Sequence, residues 1–315
     1  MAHEHMILRD PHLATAREIL AGPQNPWTLD SKGEDWIREI QADILASLLA
    51  FVELYFQEAM VAVKRRLGIP REFKGVLAEL VLLFALHPDN SPPKAELIPY
   101  DLQYDPGSGS PDIQILLSGG KSIGIEVAHL EVNKPVDHSG SDHQSVEMRI
   151  KEPMHKLNAV LEGKVGSCRN CDVEVLALDI TEYIKKRVFV IGDVSSVTHH
   201  LENYLYGQLK VSFEVNSSNG VVGNVQYIRD TRELPTVKGD DVGGFFLRWP
   251  QVGAVIYFWC RFDRTGSSER FTCNLHSRLA VNTNPATPDD KRLPSQLTSV
   301  LTNLMNGSGS LRIGC

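Results

Sequence analysis

Residues 110–128 read SPDIQILLSGGKSIGIEVA, and this stretch decides how the centre of the chain folds. Two runs rich in isoleucine, leucine and valine flank Ser118-Gly119-Gly120. A Gly-Gly pair between two such runs is a β-hairpin signal. In a hairpin centred on Gly119, Asp112 and Glu126 are equally far from the turn, so we expect them to face each other.

Two facing acids of this kind need a cation. Facing residues of antiparallel strands have their Cβ atoms roughly 4.5–5.5 Å apart. Carboxylates at that separation repel each other unless something positive lies between them, and carboxylate oxygens suit Mg²⁺ or Mn²⁺. The sequence therefore predicts a divalent metal site at Asp112 and Glu126.

The composition is that of a globular protein. The 315 residues are 42% hydrophobic and 23% charged, with a formal net charge of −7. An acidic balance argues against a basic coat protein for nucleic acid, but it is compatible with an enzyme that has a local basic groove and an acidic metal site.

The N-terminal residues also bear on where the protein works. The opening MAHEHM lacks the apolar core of a secretory signal. Polar side chains interrupt the longest apolar stretch, residues 40–56, which predicts a buried helix and no membrane span. We therefore expect no membrane partner, a cytoplasmic location and reduced thiols on the five cysteines.

The order of patterns predicts an α/β protein with four parts. Residues 1–69 form a helical N-terminal region, with one long helix from about Glu34 to Leu67, and a further helix follows Pro70. Residues 70–185 form the core, and residues 186–306 form a strand-rich α+β part that packs on the core or completes it. Residues 307–315 contain GSGS and are expected to be a flexible tail.

The helix after Pro70 carries an acid on its apolar stripe. Val76, Leu83 and Leu86 are the helical neighbours of Glu79. A carboxylate in that position needs a partner, because burial of an unpaired charge is costly. Two alternatives stay open: a third acidic member of the metal site, or a structural carboxyl held by hydrogen bonds or an arginine.

Helix-Glu, strand with Pro-Asp, hairpin, Glu-x-x and a following helix together resemble the PD-(D/E)XK, or restriction-endonuclease-like, nuclease superfamily. The resemblance covers residues 76–180 and rests on Glu79, Pro111-Asp112 and Glu126-Val127-Ala128. It implies a mixed β-sheet flanked by helices and metal-dependent cleavage of phosphodiester bonds. Asp112 and Glu126 match the metal-binding carboxylates, and Glu79 matches the helix acid.

One position departs from that pattern. The superfamily has Lys two residues after the second acid, where this chain has Ala128. Such a lysine orients the attacking water and stabilises negative charge. In some members the lysine migrates to the next helix, which here offers Lys156, the preferred candidate, and Lys151. The alternative for both is a lysine on a solvated helix face.

The cysteines suggest a competing metal site that we consider unlikely. Cys168-x-x-Cys171 and Cys273-x-x-His276 together could supply four zinc ligands. However, residues three apart on a strand face opposite sides, and the segment around Cys273 has a strand pattern. Ordinary free thiols are the favoured interpretation.

The sequence leads to two hypotheses. The first is a nuclease that uses Mg²⁺ or Mn²⁺ to hydrolyse nucleic acid, with DNA favoured by the resemblance. The second is a catalytically inactive binding or assembly subunit on the same fold. A homodimer or a protein partner is compatible with either, and a third alternative is an α/β protein whose acids are purely structural.

Overall fold

A computed structural model gives the fold of the protein. It describes most of the chain, and the features below refer to that part. The described residues are 2–21, 35–88, 100–106, 111–130, 157–184, 194–215, 222–230, 244–264, 271–295, 298, 301 and 313–314.

In the described part of the chain, four α-helices precede the first strand. They are α1 (Ala2–Ala21), α2 (Asp35–Tyr55), α3 (Met60–Leu67) and α4 (Pro70–Leu86), with a 3-10 turn at Gln57–Ala59. The single long helix expected up to Leu67 is therefore wrong. It is broken at Phe56, whose backbone leaves the helical conformation with φ −139° and ψ 46°. The helix expected after Pro70 is confirmed, with proline in its first turn.

A seven-stranded mixed sheet forms the centre of the molecule, in the order β1-β2-β3-β4-β7-β8-β9. Strands β5 and β6 form a separate antiparallel pair. Within the large sheet, β3 and β4 are parallel, as are β4 and β7. The other neighbours are antiparallel. The strands are β1 (Tyr100–Tyr104), β2 (Ile113–Leu117), β3 (Ser122–His129), β4 (Val173–Asp179), β5 (Gln208–Val215), β6 (Val222–Asp230), β7 (Val252–Arg264), β8 (Phe271–Val281) and β9 (Ile313–Gly314).

The predicted hairpin is formed by β2 and β3 in the expected register. Ile113 pairs with Ile125, and Ile115 pairs with Ile123. Gly120 lies in the turn with a φ of +79°, a conformation that glycine adopts without strain. Asp112 and Glu126 are the next residues along each strand from the Ile113–Ile125 pair, so the register brings both acids to one end of the hairpin.

Helices cover both faces of the sheet. The odd-numbered residues of β3 pack with α1 to α4 in one core. The opposite face packs against α5 (residues 157–164), α6 (residues 181–184), α7 (Val194–Tyr206) and α8 (Phe245–Arg248). The expectation of a mixed α/β fold with flanking helices is confirmed.

The C-terminal part continues the same sheet. Strand β7 pairs with β4 along six positions, and β8 pairs with β7 along eleven. Within residues 307–315, for which a flexible tail is predicted, Ile313–Gly314 forms β9 and pairs with Thr272 and Cys273 of β8. The GSGS run on which that prediction rests, residues 307–310, lies outside the described residues.

Candidate functional site

Asp112 and Glu126 are both buried at the end of the hairpin, with 9% and 8% of their surface exposed. The side chain of Asp112 accepts a hydrogen bond from the backbone N–H of Val127, at 2.8 Å. Burial, followed by the negative charges of Glu79 and Glu126, raises the pKa of Asp112 to about 7. The site therefore concentrates negative charge that a cation would relieve.

Lys164 supplies a cation at this site, and the sequence analysis missed it. Its Nζ atom lies 2.5 Å from Oε1 of Glu126. Burial would lower the pKa of Lys164, but the hydrogen bond and charge of Glu126, followed by the charge of Asp112, raise it above its usual value. The ammonium group is therefore charged at neutral pH and directed at the paired acids.

A sequence signal for Lys164 did exist. Leu157 and Leu161 are the core-facing positions of α5, and both are buried. Lys164 follows Leu161 by three residues, so it extends the same stripe by one step. The two lysines considered instead, Lys156 and Lys151, lie outside the described residues.

Glu79 points from α4 into the core and is held by an arginine. Its Oε2 and Oε1 atoms each accept a hydrogen bond from Arg66, at 2.8 Å. The hydroxyl of Tyr104 donates to Oε2 at 3.0 Å. These contacts match the alternative of a structural carboxyl with an arginine partner. The charge of Glu79 still acts on Asp112 and Lys164.

Ala128 and His129 lie on opposite faces of the sheet, as expected for consecutive strand residues. Ala128 packs in the core beside α5, on the same face as Glu126. His129 bonds through Nδ1 to Asp179 at 2.8 Å, and its Nε2 lies 3.9 Å from Glu182. Ala128 therefore adds no charge to the site, and His129 belongs to a separate charged cluster.

The two cysteine motifs lie on different parts of the sheet: Cys168 and Cys171 precede β4, whereas Cys273 and His276 belong to β8, which is separated from β4 by β7. Cys168 and Cys171 are buried free thiols beneath β3. Burial raises the pKa of both thiols. His276 lies on β8 with its ring stacked on Trp259 at a centroid distance of 5.4 Å. The side chain of Cys273 lies outside the described part.

Among the residues that the structure describes, no three His, Cys, Asp or Glu side chains form a metal-binding group. Each of the three acids already has a partner: Glu79 is engaged with Arg66 and Tyr104, Glu126 with Lys164, and Asp112 with the backbone N–H of Val127. Within the same residues, no helix is long and apolar enough to cross a membrane.

Comparisons with known proteins leave the site to be judged by its geometry. No protein-family model, curated protein or solved structure matches the chain significantly.

Proposed function

We propose that this protein hydrolyses phosphodiester bonds of nucleic acid with Mg²⁺ or Mn²⁺ as cofactor, and that DNA is its favoured substrate. One observation carries the proposal: the ammonium group of Lys164 forms an ion pair with the carboxylate of Glu126, beside the buried carboxylate of Asp112. Two acids and one lysine are the groups that the resemblance to PD-(D/E)XK nucleases requires, and here the lysine comes from α5 in place of position 128.

The donor set fits a magnesium-like ion. Mg²⁺ is commonly bound by one or two carboxylates, and water and substrate phosphate oxygens complete its coordination. Asp112 and Glu126 supply two carboxylates, both buried at the same end of the hairpin. When bound, such an ion supplies a more acidic water and neutralises phosphate charge.

Each protein group has a distinct task in this proposal. Asp112 must lose its proton to bind a cation, and a pKa of about 7 places that step near neutral pH. The backbone N–H of Val127 fixes the orientation of the Asp112 carboxylate. Lys164 orients the attacking water and stabilises negative charge that develops on the phosphate.

The order of elements supports the same proposal. Helix α4 precedes three antiparallel strands, β1 to β3, and α5 then leads to β4, which is parallel to β3. This is the order of helix, hairpin acids and helix on which the resemblance rests, in a mixed sheet covered on both faces. We propose on this basis that the fold is restriction-endonuclease-like.

A second candidate is an inactive nucleic-acid-binding or assembly subunit. The contact between Lys164 and Glu126 favours it, because this ion pair neutralises one acid of the site without any metal. The net charge of −7 points in the same direction. In that case Asp112 and Lys164 would be structural groups.

Cleavage of supercoiled plasmid, linear DNA, single-stranded DNA and RNA, each with Mg²⁺ and with Mn²⁺, tests the proposal. We expect metal-dependent cleavage by the wild type and a loss of about 10²–10³-fold in Asp112→Asn and Lys164→Ala. Lys156→Ala and Lys151→Ala are the matched controls and should keep activity.

Thermal unfolding separates the two candidates further. A metal ion that binds only the folded protein raises its Tm, so millimolar Mn²⁺ should stabilise the wild type and not Asp112→Asn. Absence of both cleavage and stabilisation in the wild type would reject the nuclease in favour of the binding subunit. Cleavage that depends on Lys156 and not on Lys164 would overturn the assignment of the lysine.

A further inference from the structure

Strand β4 carries a second buried carboxylate on the same sheet face as Glu126, and that carboxylate belongs to Glu174. Glu174 pairs with Gly124 of β3, two residues before Glu126. Its Oε1 atom accepts a hydrogen bond from the backbone N–H of Gly166, at 2.7 Å. The partner of Glu174 is therefore the turn that follows α5, and α5 ends at Lys164.

This turn is short and closely defined. The N–H of Val165 bonds to the carbonyl of Leu161, and the N–H of Ser167 bonds to the carbonyl of Lys164, both at 3.2 Å. Gly166 has a φ of +82°, the left-handed conformation that commonly ends a helix. The Glu174 carboxylate interacts with three consecutive backbone N–H groups of this turn, those of residues 166–168.

Gly124 of β3 packs directly against the same turn and limits where the turn can lie. A β-carbon on Gly124 would lie 2.8 Å from the Sγ atoms of both Cys168 and Cys171, and equally close to the Cβ of Cys168. Such distances are too short for carbon and sulfur atoms, so the turn sits on β3 only because residue 124 has no side chain. Two independent contacts, one polar and one steric, therefore set the position of the end of α5.

We propose that Glu174 is a positioning residue that holds Lys164 over Glu126 by anchoring the turn after α5. The inference rests on the proposed function where it gives Lys164 a role in catalysis. The anchoring concerns only the position of Lys164. The contact of Glu174 is with the turn that follows the lysine. Glu174 acts through residues 165–168, and Gly124 provides the space that the turn needs.

The electrostatics of Glu174 agree with a positioning role. A negative charge beside the C-terminal end of a helix is unfavourable, because the helix dipole is negative there. Burial raises the pKa of Glu174, and the backbone N–H groups of the turn oppose that change. The charge of Glu174 is thus stabilised by the turn that it anchors, so turn and carboxylate depend on each other.

The experiment measures where Lys164 lies without relying on cleavage. An acylating amine reagent is applied to the full-length protein, and mass spectrometry gives the labelling rate of Lys164 relative to Lys64 of α3. The variants are Glu174→Ala, the isosteric Glu174→Gln and Gly124→Ala. The control is Asp179→Asn, which removes another buried carboxylate of β4 whose partner on β3, His129, lies on the opposite face from Glu126.

We expect Lys164 to be labelled several-fold faster in Glu174→Ala and in Gly124→Ala, and less so in Glu174→Gln, which keeps one acceptor oxygen. In Asp179→Asn, stability should fall while the labelling of Lys164 stays unchanged. If the wild type cleaves nucleic acid, Glu174→Ala should also lose about 10²-fold in single-turnover rate, since a displacement of 1 Å costs that much.

The outcomes separate this inference from the proposed function. An inactive wild type whose Lys164 labelling still responds to Glu174 would reject the nuclease and keep the anchoring. Unchanged labelling in a folded Glu174→Gln or Gly124→Ala would overturn the anchoring, whatever the activity. If Glu174→Ala does not fold, those two variants decide by the same criterion.

Discussion

At the scale of single residues, Arg66 and Glu79 form a part-buried ion pair with two hydrogen bonds. Glu79 is 3% exposed and accepts two hydrogen bonds from the Arg66 guanidinium. Removing one partner of a buried pair leaves an uncompensated charge, which costs about 3–5 kcal/mol. We therefore expect Arg66→Met to lower the free energy of unfolding by about 3 kcal/mol in urea denaturation.

The neighbouring Arg65 is the natural control, because it has the same charge and is exposed. Arg65→Met should change stability by less than about 0.5 kcal/mol. The double variant Arg66→Met/Glu79→Gln should recover part of the loss, since the buried charge is then removed. Equal losses in Arg66→Met and Arg65→Met would show that the pair contributes nothing to stability.

At the scale of single residues, the sequence predicts that a buried charge needs a partner but does not identify that partner. The apolar stripe around Glu79 predicted that the carboxylate needs a partner, because that need follows from burial alone. It could not select Arg66, which lies on the preceding helix, or Tyr104, which lies on a strand. A lysine from α5 was expected, and the apolar stripe of that helix points to Lys164, but only tertiary packing shows which lysine reaches Glu126.

Among the secondary-structure elements, a charged cluster ties α4 to the ends of β3, β4 and α6. His129 bonds to Asp179, and Lys74 of α4 bonds to Glu182 at 2.6 Å. Burial opposes protonation of His129, but the hydrogen bond to Asp179 and the charge of Glu182 outweigh it and raise the pKa of His129 to about 9. The protonated imidazole is therefore favoured by the fold.

The direction of the pH dependence follows from that pKa. An unfolded histidine has a pKa of about 6.5. Because the folded value is higher, the stabilisation is complete below about pH 6.5 and is lost as the pH rises towards 9. We expect His129→Gln to lose about 3 kcal/mol relative to the wild type at pH 6 and much less at pH 9.5.

Urea denaturation of both proteins at pH 6, 7.5 and 9.5 measures the difference. The comparison with His129→Gln removes the contribution of all other titrating groups that the two proteins share. A difference that stays constant, or that grows with pH, would contradict the protonated state of His129 in the folded protein.

Elements with local signals were predictable, and elements set by distant contacts were not. The hairpin of β2 and β3 follows from its Gly-Gly turn and its apolar runs, so its register could be predicted. The break after α2 has no such signal. Phe56 there packs against Phe51, His87 and Tyr104, with ring centroids 5.7–6.2 Å apart, and these partners are brought together only by the fold.

At the scale of the whole molecule, the nuclease-like core expected at residues 70–185 is not a closed unit. All seven residues of β4 are buried, which is typical of a strand inside a parallel sheet. Strand β7 covers its free edge and contributes to both hydrophobic cores. Patterns within residues 70–185 predicted the hairpin of β2 and β3 correctly, but they carry no information about which later strand completes the sheet.

This arrangement predicts that a fragment ending at residue 185 does not fold on its own. Loss of β7 and β8 would expose the edge of β4 together with its apolar side chains, and such an edge promotes aggregation. We expect the fragment 1–185 to be insoluble or to lack a cooperative unfolding transition in circular dichroism. The fragment 1–306 is the control: it loses only β9 of the sheet, so it should unfold cooperatively at a slightly lower Tm. A monomeric fragment 1–185 with a sharp transition would show that the acids, Lys164 and the strands up to β4 suffice as a folding unit.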